Sequence, residues 1–167
     1  MKKPLSQQEA LYRVTALCAG CEQCEHNIRE KLTKWGLTQN ESDHIIDHLY
    51  DEKYIDELRF ANAYARDKMR YNHWGRQKID QGMRLLRISP ASRKEALEAL
   101  PEEEYLETLQ GILTSKARTV KADNDYQRNG KLIRFALGRG FEMGLIIQAL
   151  NCDDYEMSDE SDDEAEI

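Results

Sequence analysis

Proline and glycine are scarce in this chain, three and nine residues of 167, so little in it interrupts helices. No alternating run of β-branched residues is long enough to argue for a sheet. The expected fold class is therefore all-α. Nowhere do eighteen apolar residues follow one another, and the opening MKKPLSQQEALYR carries two lysines but no apolar core of a signal sequence. The expectation is a soluble, cytosolic protein with no membrane partner. A glycine-rich phosphate loop, a nucleophile elbow and paired carboxylates on a pocket wall are also missing, which argues against an enzyme and against a bound cofactor or small-molecule substrate. Histidines are few and scattered. His44 and His48 fall four apart, but without the acid of an H-E-x-x-H pattern they read as a polar helix face.

Cysteine is the one metal-capable residue with suggestive spacing. Cys18, Cys21 and Cys24 form C-x2-C-x2-C with His26 just beyond and Cys152 far off in the chain. A zinc site needs four converging ligands, and here it would have to recruit His26 or Cys152 without a second paired motif. Ordinary reduced thiols, with no metal, are the expectation.

What the chain does have is segregated charge. Its formal net charge is −7, yet residues 153–167, DDYEMSDESDDEAEI, hold nine acids and no base. The rest of the chain is mildly basic. The tail has too little apolar surface to offset the entropy of ordering it, so disorder is expected there, and its carboxylates could compete for basic surface elsewhere in the chain. From Arg59 to Lys94 ten bases meet only two acids, Asp67 and Asp80. On a helical wheel Arg59, Arg66 and Arg70 share one side, with no acid four residues away on that row to offset their repulsion. Asp80, by contrast, lies four from both Arg76 and Arg84. A second basic stretch, Ser115 to Arg139, carries Lys116, Arg118, Lys121, Arg128, Lys131, Arg134 and Arg139 against Asp123 and Asp125. Clustered guanidinium groups of this kind favour an anionic partner.

Apolar periodicity supplies the organisation. Ser6 and Glu9 read as a capping box opening a helix with Leu11, Val14, Leu17 and Cys18. A second helix carries Ile28 and Leu32 to a left-handed stop at Gly36, and a third carries Ile45, Ile46 and Leu49. The pattern returns 51 residues later: Ile28 maps to Ile79, Leu32 to Met83, Leu37 to Ile88, Ile46 to Leu97 and Leu49 to Leu100. A weaker third copy has Leu132, Gly140, Phe141, Ile146, Ile147 and Leu150, with a shorter last loop. A period of this size is the mark of a helical array. The expected architecture is three tandem three-helix repeats, 6–54, 55–103 and 104–151, stacked into an elongated curved solenoid, followed by a disordered acidic tail, 152–167. Trp35 and Trp74 are expected to pack at unit junctions, leaving Tyr71 as the better candidate for stacking on a base.

Tyr54, Ile55, Asp56, Arg59, Phe60 and Ala61, then Arg66, Gly75 and Ile79, resemble the signature of the RecX family, regulators of the bacterial recombinase RecA. The resemblance covers essentially residues 6–151, including EHNIREKLTKWGL from Glu25 and the Gly140, Phe141 pair. Leu85, Arg87 and Ile88 stand where that family usually has Lys-Gly-Ile. The resemblance implies a cytoplasmic, non-enzymatic modulator that binds RecA, and its nucleoprotein filament on single-stranded DNA, lowering ATPase, strand-exchange and repressor-cleavage activities. The RecA- or DNA-contacting residues would then be Arg59, Arg66, Arg70, Tyr71, Arg76, Lys78, Arg84, Arg87, Lys131 and Arg134. The alternative is a nucleic-acid-binding helical repeat protein that acts indirectly, by competing for single-stranded DNA.

Overall fold

Five short polar side chains punctuate the chain. Ser6, Thr38, Asp56, Ser89 and Asn124 each accept from the backbone N–H three residues on, at 2.8–3.4 Å. Each such cap satisfies a donor that a helix start leaves orphaned, a contribution of about 1 kcal/mol. The helices they help to open make up an all-α fold. The computed structural model describes residues 3–151, so Cys152 and the acidic segment 153–167 lie outside the described residues, as does the expectation of disorder there.

Among the described residues there are nine helices: α1 (Gln7–Gly20), α2 (Glu25–Lys34), α3 (Gln39–Asp51), α4 (Glu57–Asn72), α5 (Arg76–Leu85), α6 (Pro90–Glu98), α7 (Glu102–Ala117), α8 (Asp125–Gly138) and α9 (Met143–Leu150). None is long and apolar enough to cross a membrane.

The internal period is physical. Ile28, Ile79 and Leu132 are buried at equivalent places on α2, α5 and α8, as are Leu32, Met83 and Ala136 one turn later. Each of these helices then ends in the same way. Gly36, Arg87 and Gly140 are left-handed (φ 85°, 58° and 93°), and the following N–H, of Leu37, Ile88 or Phe141, donates to the carbonyl five residues back at 3.1–3.2 Å. The apolar residue after the stop is buried each time, which makes the hydrogen-bonded exit and the docking contact one device. The connection that follows is four residues long in all three repeats, 35–38, 86–89 and 139–142. The expected shortening in the third copy is thus absent. The extra length lies upstream, in the α7–α8 connection at 118–124. In α6 the fully buried residue is Ala96, the counterpart of Ile45, whereas Leu97 is only partly buried.

One of the three stops has the wrong residue for its geometry. Arg87 adopts the left-handed conformation that glycine tolerates without a Cβ penalty and that costs other L-residues about 1–2 kcal/mol. Arg87→Gly is therefore expected to stabilise the chain by about 1 kcal/mol, because part of the relieved strain is offset by the freer unfolded chain. Chemical denaturation would check the sign. A loss of stability would mean that the arginine side chain contributes more than its backbone costs.

The three repeats do not form three equal cores. The first repeat closes its own, with Ala10, Val14, Ile28, Leu32, Leu37, Ile45, Ile46 and Leu49 joined by Ile55 from the start of the second. The second and third share one continuous core in which Met69, Met83, Tyr105, Leu109, Ile133 and Phe141 meet. Cys24 is the one residue from the first repeat that reaches into it.

The second and third repeats also meet backbone to backbone. Gly75 N–H donates to the Arg139 carbonyl at 2.8 Å, and Gln77 N–H donates to the Gly140 carbonyl at 3.0 Å. A Cβ on Gly75 would lie 2.4 Å from Gly140 and Phe141 backbone atoms, and one on Gly140 would lie 2.5 Å from the Lys78 nitrogen. Gly75, which the sequence presents as a turn residue, is the point where two repeats touch main chain to main chain.

Candidate anion-binding surface

The arginines of the second repeat fall into two groups once their partners are seen. Arg59 reaches back to the first repeat, donating from Nε to Glu22 at 2.5 Å and from Nη2 to the Lys53 and Tyr54 carbonyls at 3.1 and 3.2 Å. Arg70 reaches forward to the third, gripping both oxygens of Glu104 at 2.6 and 3.1 Å. That pair holds the Glu104 carboxyl below the usual carboxylate range and the guanidinium above its ordinary value. Two of the three arginines of the α4 row, which has no acid four residues away on its own side of the helix, thus find one across the repeats. No i,i+4 arithmetic could supply those partners.

Arg76 is the most constrained. Its guanidinium lies 3.9 Å from the Tyr105 ring centroid and pairs with Glu102 at 2.7 Å and Glu142 at 2.9 Å. Its backbone N–H donates to the Tyr105 hydroxyl at 3.0 Å, and that hydroxyl donates to Glu142. Burial works against the charge, and the Glu102, Tyr105 and Glu142 contacts more than offset it, so its pKa is raised. Burial, then the Glu142 bond, pushes the Tyr105 phenol up as well. This knot ties α5 to α7 and to the N-cap of α9.

Asp80 takes only one of the two arginines its spacing offered. It pairs with Arg84 at 2.9 Å and, in place of Arg76, with Arg93 from α6 at 2.9 Å. Lys78 and Lys68 lie on the Trp74 ring, each 4.9 Å from its centroid. Trp74 is packed against the shared core and Trp35 against that of the first repeat.

What remains outward and without an ion pair among the described residues is a smaller set. Arg66 lies exposed at the rim of a shallow cavity of about 260 Å³ between α4 and α6, with Arg59 and Asn62 beside it. The Arg87 side chain borders a cavity of about 210 Å³ between the first and second repeats. Tyr71 is 78% exposed one residue beyond Arg70.

The third repeat carries the larger share. Lys131 and Arg134 occupy the outer side of α8, opposite the buried Gly130, Ile133 and Ala136. Arg118, Lys121 and Arg128 frame its entry and are exposed. The contacts made here are to neutral groups: Lys131 Nζ donates to the Lys121 carbonyl at 2.7 Å, Arg128 donates to the Ala117 carbonyl at 3.4 Å, and Lys116 and Arg139 lie on the Phe135 ring at 5.1 and 5.3 Å. Cations bonded to carbonyls and rings keep their full charge for a partner. The sequence places Arg118, Lys121 and Arg128 in the second basic stretch, but not among the expected contact residues.

The cysteines fall in two settings. Cys18 flanks the first core, Cys24 is buried in the second, and burial raises both thiol pKa values. A thiol so placed is a poorer thiolate donor than an exposed one. Among the described residues no group of three or more His, Cys, Asp or Glu is placed to hold a metal ion.

This geometry has relatives. Residues 56–97 match the family model for the second three-helix domain of RecX, and residues 102–150 match that for the third. Curated proteins named "Regulatory protein RecX" align with most of the chain. The protein from Vibrio vulnificus is 26% identical over 127 residues, covering 76% of this chain and 81% of that protein, and the one from Leuconostoc mesenteroides subsp. mesenteroides is 21% identical over 140, covering 84% and 51%. The chain thus spans about half the length of some of the curated relatives it matches. In fold it is similar to the crystal structure of RecX from Lactobacillus salivarius, with a TM-score of 0.78 at 16% identity over 87% of this chain and 94% of that one. With two of its helix triplets matched in sequence and the whole array matched in shape, the chain belongs to the RecX family of regulatory proteins.

Proposed function

We propose that the chain regulates the recombinase RecA by binding it, or its filament on single-stranded DNA, and lowers its ATPase, strand-exchange and coprotease activities. It acts by occupying surface, not by catalysis. The observation that carries this reading is the division of its cations. Arg59, Arg70 and Arg76 pair across the repeats and Lys78 lies on the Trp74 ring, while Arg66, Arg87, Lys131 and Arg134, with Tyr71, face outward without an ion pair among the described residues, and Arg84 is exposed beside its Asp80 partner. A polymeric partner bearing carboxylates and phosphates along a groove suits such a set better than a small ligand does.

A second reading has one observation in its favour. Tyr71 is 78% exposed beside the arginines of α4, an arrangement that also suits stacking on unpaired bases. The protein would then act by competing for single strands.

A titration into RecA hydrolysing ATP on single-stranded DNA tests both readings. Inhibition is expected, together with retention of RecA by the immobilised chain in the absence of DNA. Inhibition that vanishes when single-stranded DNA is in large excess, with no DNA-free retention, would favour the competitor. No effect on RecA under any condition would remove the first reading.

A further inference from the structure

The described chain stops at a cleft that its next residues are suited to fill. A cavity of about 560 Å³ lies between the C-terminal half of α7, the N-terminal half of α8 and the end of α9. Leu113, Ala117, Leu132 and Leu150 form its apolar lining, with Arg118 and Arg128 on either side. Leu150 is the last residue of α9. Asn151 follows in a left-handed conformation (φ 53°), so the chain turns out of the helix at the mouth of this cleft. The sixteen residues beyond it contain nine carboxylates and no base, and their first acids are Asp153 and Asp154. Two or three residues of extended chain reach about 7–10 Å, and the whole segment about 50 Å, enough to cross the α7–α8 side.

We infer that the segment 152–167 docks on its own third repeat, its carboxylates against Arg118, Lys121, Arg128 and Lys131 and its Tyr155 and Met157 over the apolar lining. These cations have no carboxylate partner among the described residues, and the acids of the same sequence stretch, Ser115 to Arg139, are Asp123 and Asp125. Tethering gives the segment an effective concentration of about millimolar, so weak contacts suffice to occupy the cleft in part. The docked segment covers Lys131, which the proposed function assigns to an anionic partner, together with the exposed cations Arg118, Lys121 and Arg128 beside it, and it therefore acts as a built-in competitor that the partner must displace. The inference rests on that assignment for its consequence, but not for the docking itself.

Two measurements on the full-length chain separate the two. Carbodiimide joins a lysine amine to a carboxylate in direct contact with it. Cross-links from Lys121 or Lys131 to the acids of 153–166 are expected within one molecule, and lost in about 1 M salt, where screening falls to about 3 Å. Links confined to Lys68, Lys78 or Lys94, or formed only between differently isotope-labelled copies, would overturn the docking site. A full-length variant with the nine tail acids changed to Asn or Gln is expected to bind an oligo-dT strand of about 20 nucleotides roughly tenfold more tightly at low salt, the gap closing as salt rises. Equal affinity would overturn the competition. Intramolecular links without oligonucleotide binding by either protein would keep the docking and sink the phosphate-binding role of the surface.

Discussion

Replacing Gly75 by alanine is expected to destabilise the chain by about 3 kcal/mol, at the upper end of what overpacking costs. The added carbon would sit 2.4 Å from the carbonyl carbon, the carbonyl oxygen and the next nitrogen around Gly140. Those are backbone atoms, held by hydrogen bonds from Gly75 and Gln77 to the Arg139 and Gly140 carbonyls. No side chain can swing aside to relieve the clash, so two repeats must part and the shared core beneath them must open. The comparison that isolates the cause is Gly111→Ala. Gly111 lies inside α7, and its added carbon meets nothing within 4 Å. Helix propensity alone predicts a gain of about 0.8–1 kcal/mol there. The same chemical change should therefore move a urea midpoint in opposite directions at the two sites. A stable Gly75→Ala protein would show that the two repeats are not joined through main chain.

The second large effect concerns binding. Lys131→Glu with Arg134→Glu reverses two exposed charges on the outer side of α8 that have no carboxylate partner among the described residues. If each contacts an anionic group of the partner, losing a charge-assisted bond costs about 1.5 kcal/mol, so the pair should weaken binding to the RecA filament roughly a hundredfold. Stability should hardly change. Reversing Arg59 and Arg70 should do the opposite, because each would then face Glu22 or Glu104 with like charge and loosen the joints between repeats. The check is a RecA ATPase titration run beside a denaturation curve for each variant. Unchanged inhibition by the α8 double reversal would move the contact surface elsewhere, with Arg66 and Arg87 the next to change.

Both expectations draw on features unequally visible beforehand. The helix count, the 51-residue period and the buried positions it aligns are local properties: a periodicity of 3.6, a cap three residues before an N–H, an apolar residue after a left-handed stop. Any chain carrying them in this order is driven toward stacked helix triplets. Even the anomaly of Arg87 could be named from its place in the pattern, although the strain itself shows only in its backbone angle.

Partners across space were out of reach. Sequence correctly brought Arg59, Arg66 and Arg70 onto one side of α4, and correctly found no acid on that row. Glu22 and Glu104 lie 37 and 34 residues away, and only the packing of one repeat on the next brings them in. Arg76 shows the same limit in reverse: spacing offered it Asp80, while the fold gave it Tyr105, Glu102 and Glu142. What the order of residues determined by itself was the repeated helical unit and the overall excess of base over acid in its body. Which of those bases stay available was decided by tertiary structure, because an ion pair depends on distance through space and a repeat pattern specifies distance only along the chain.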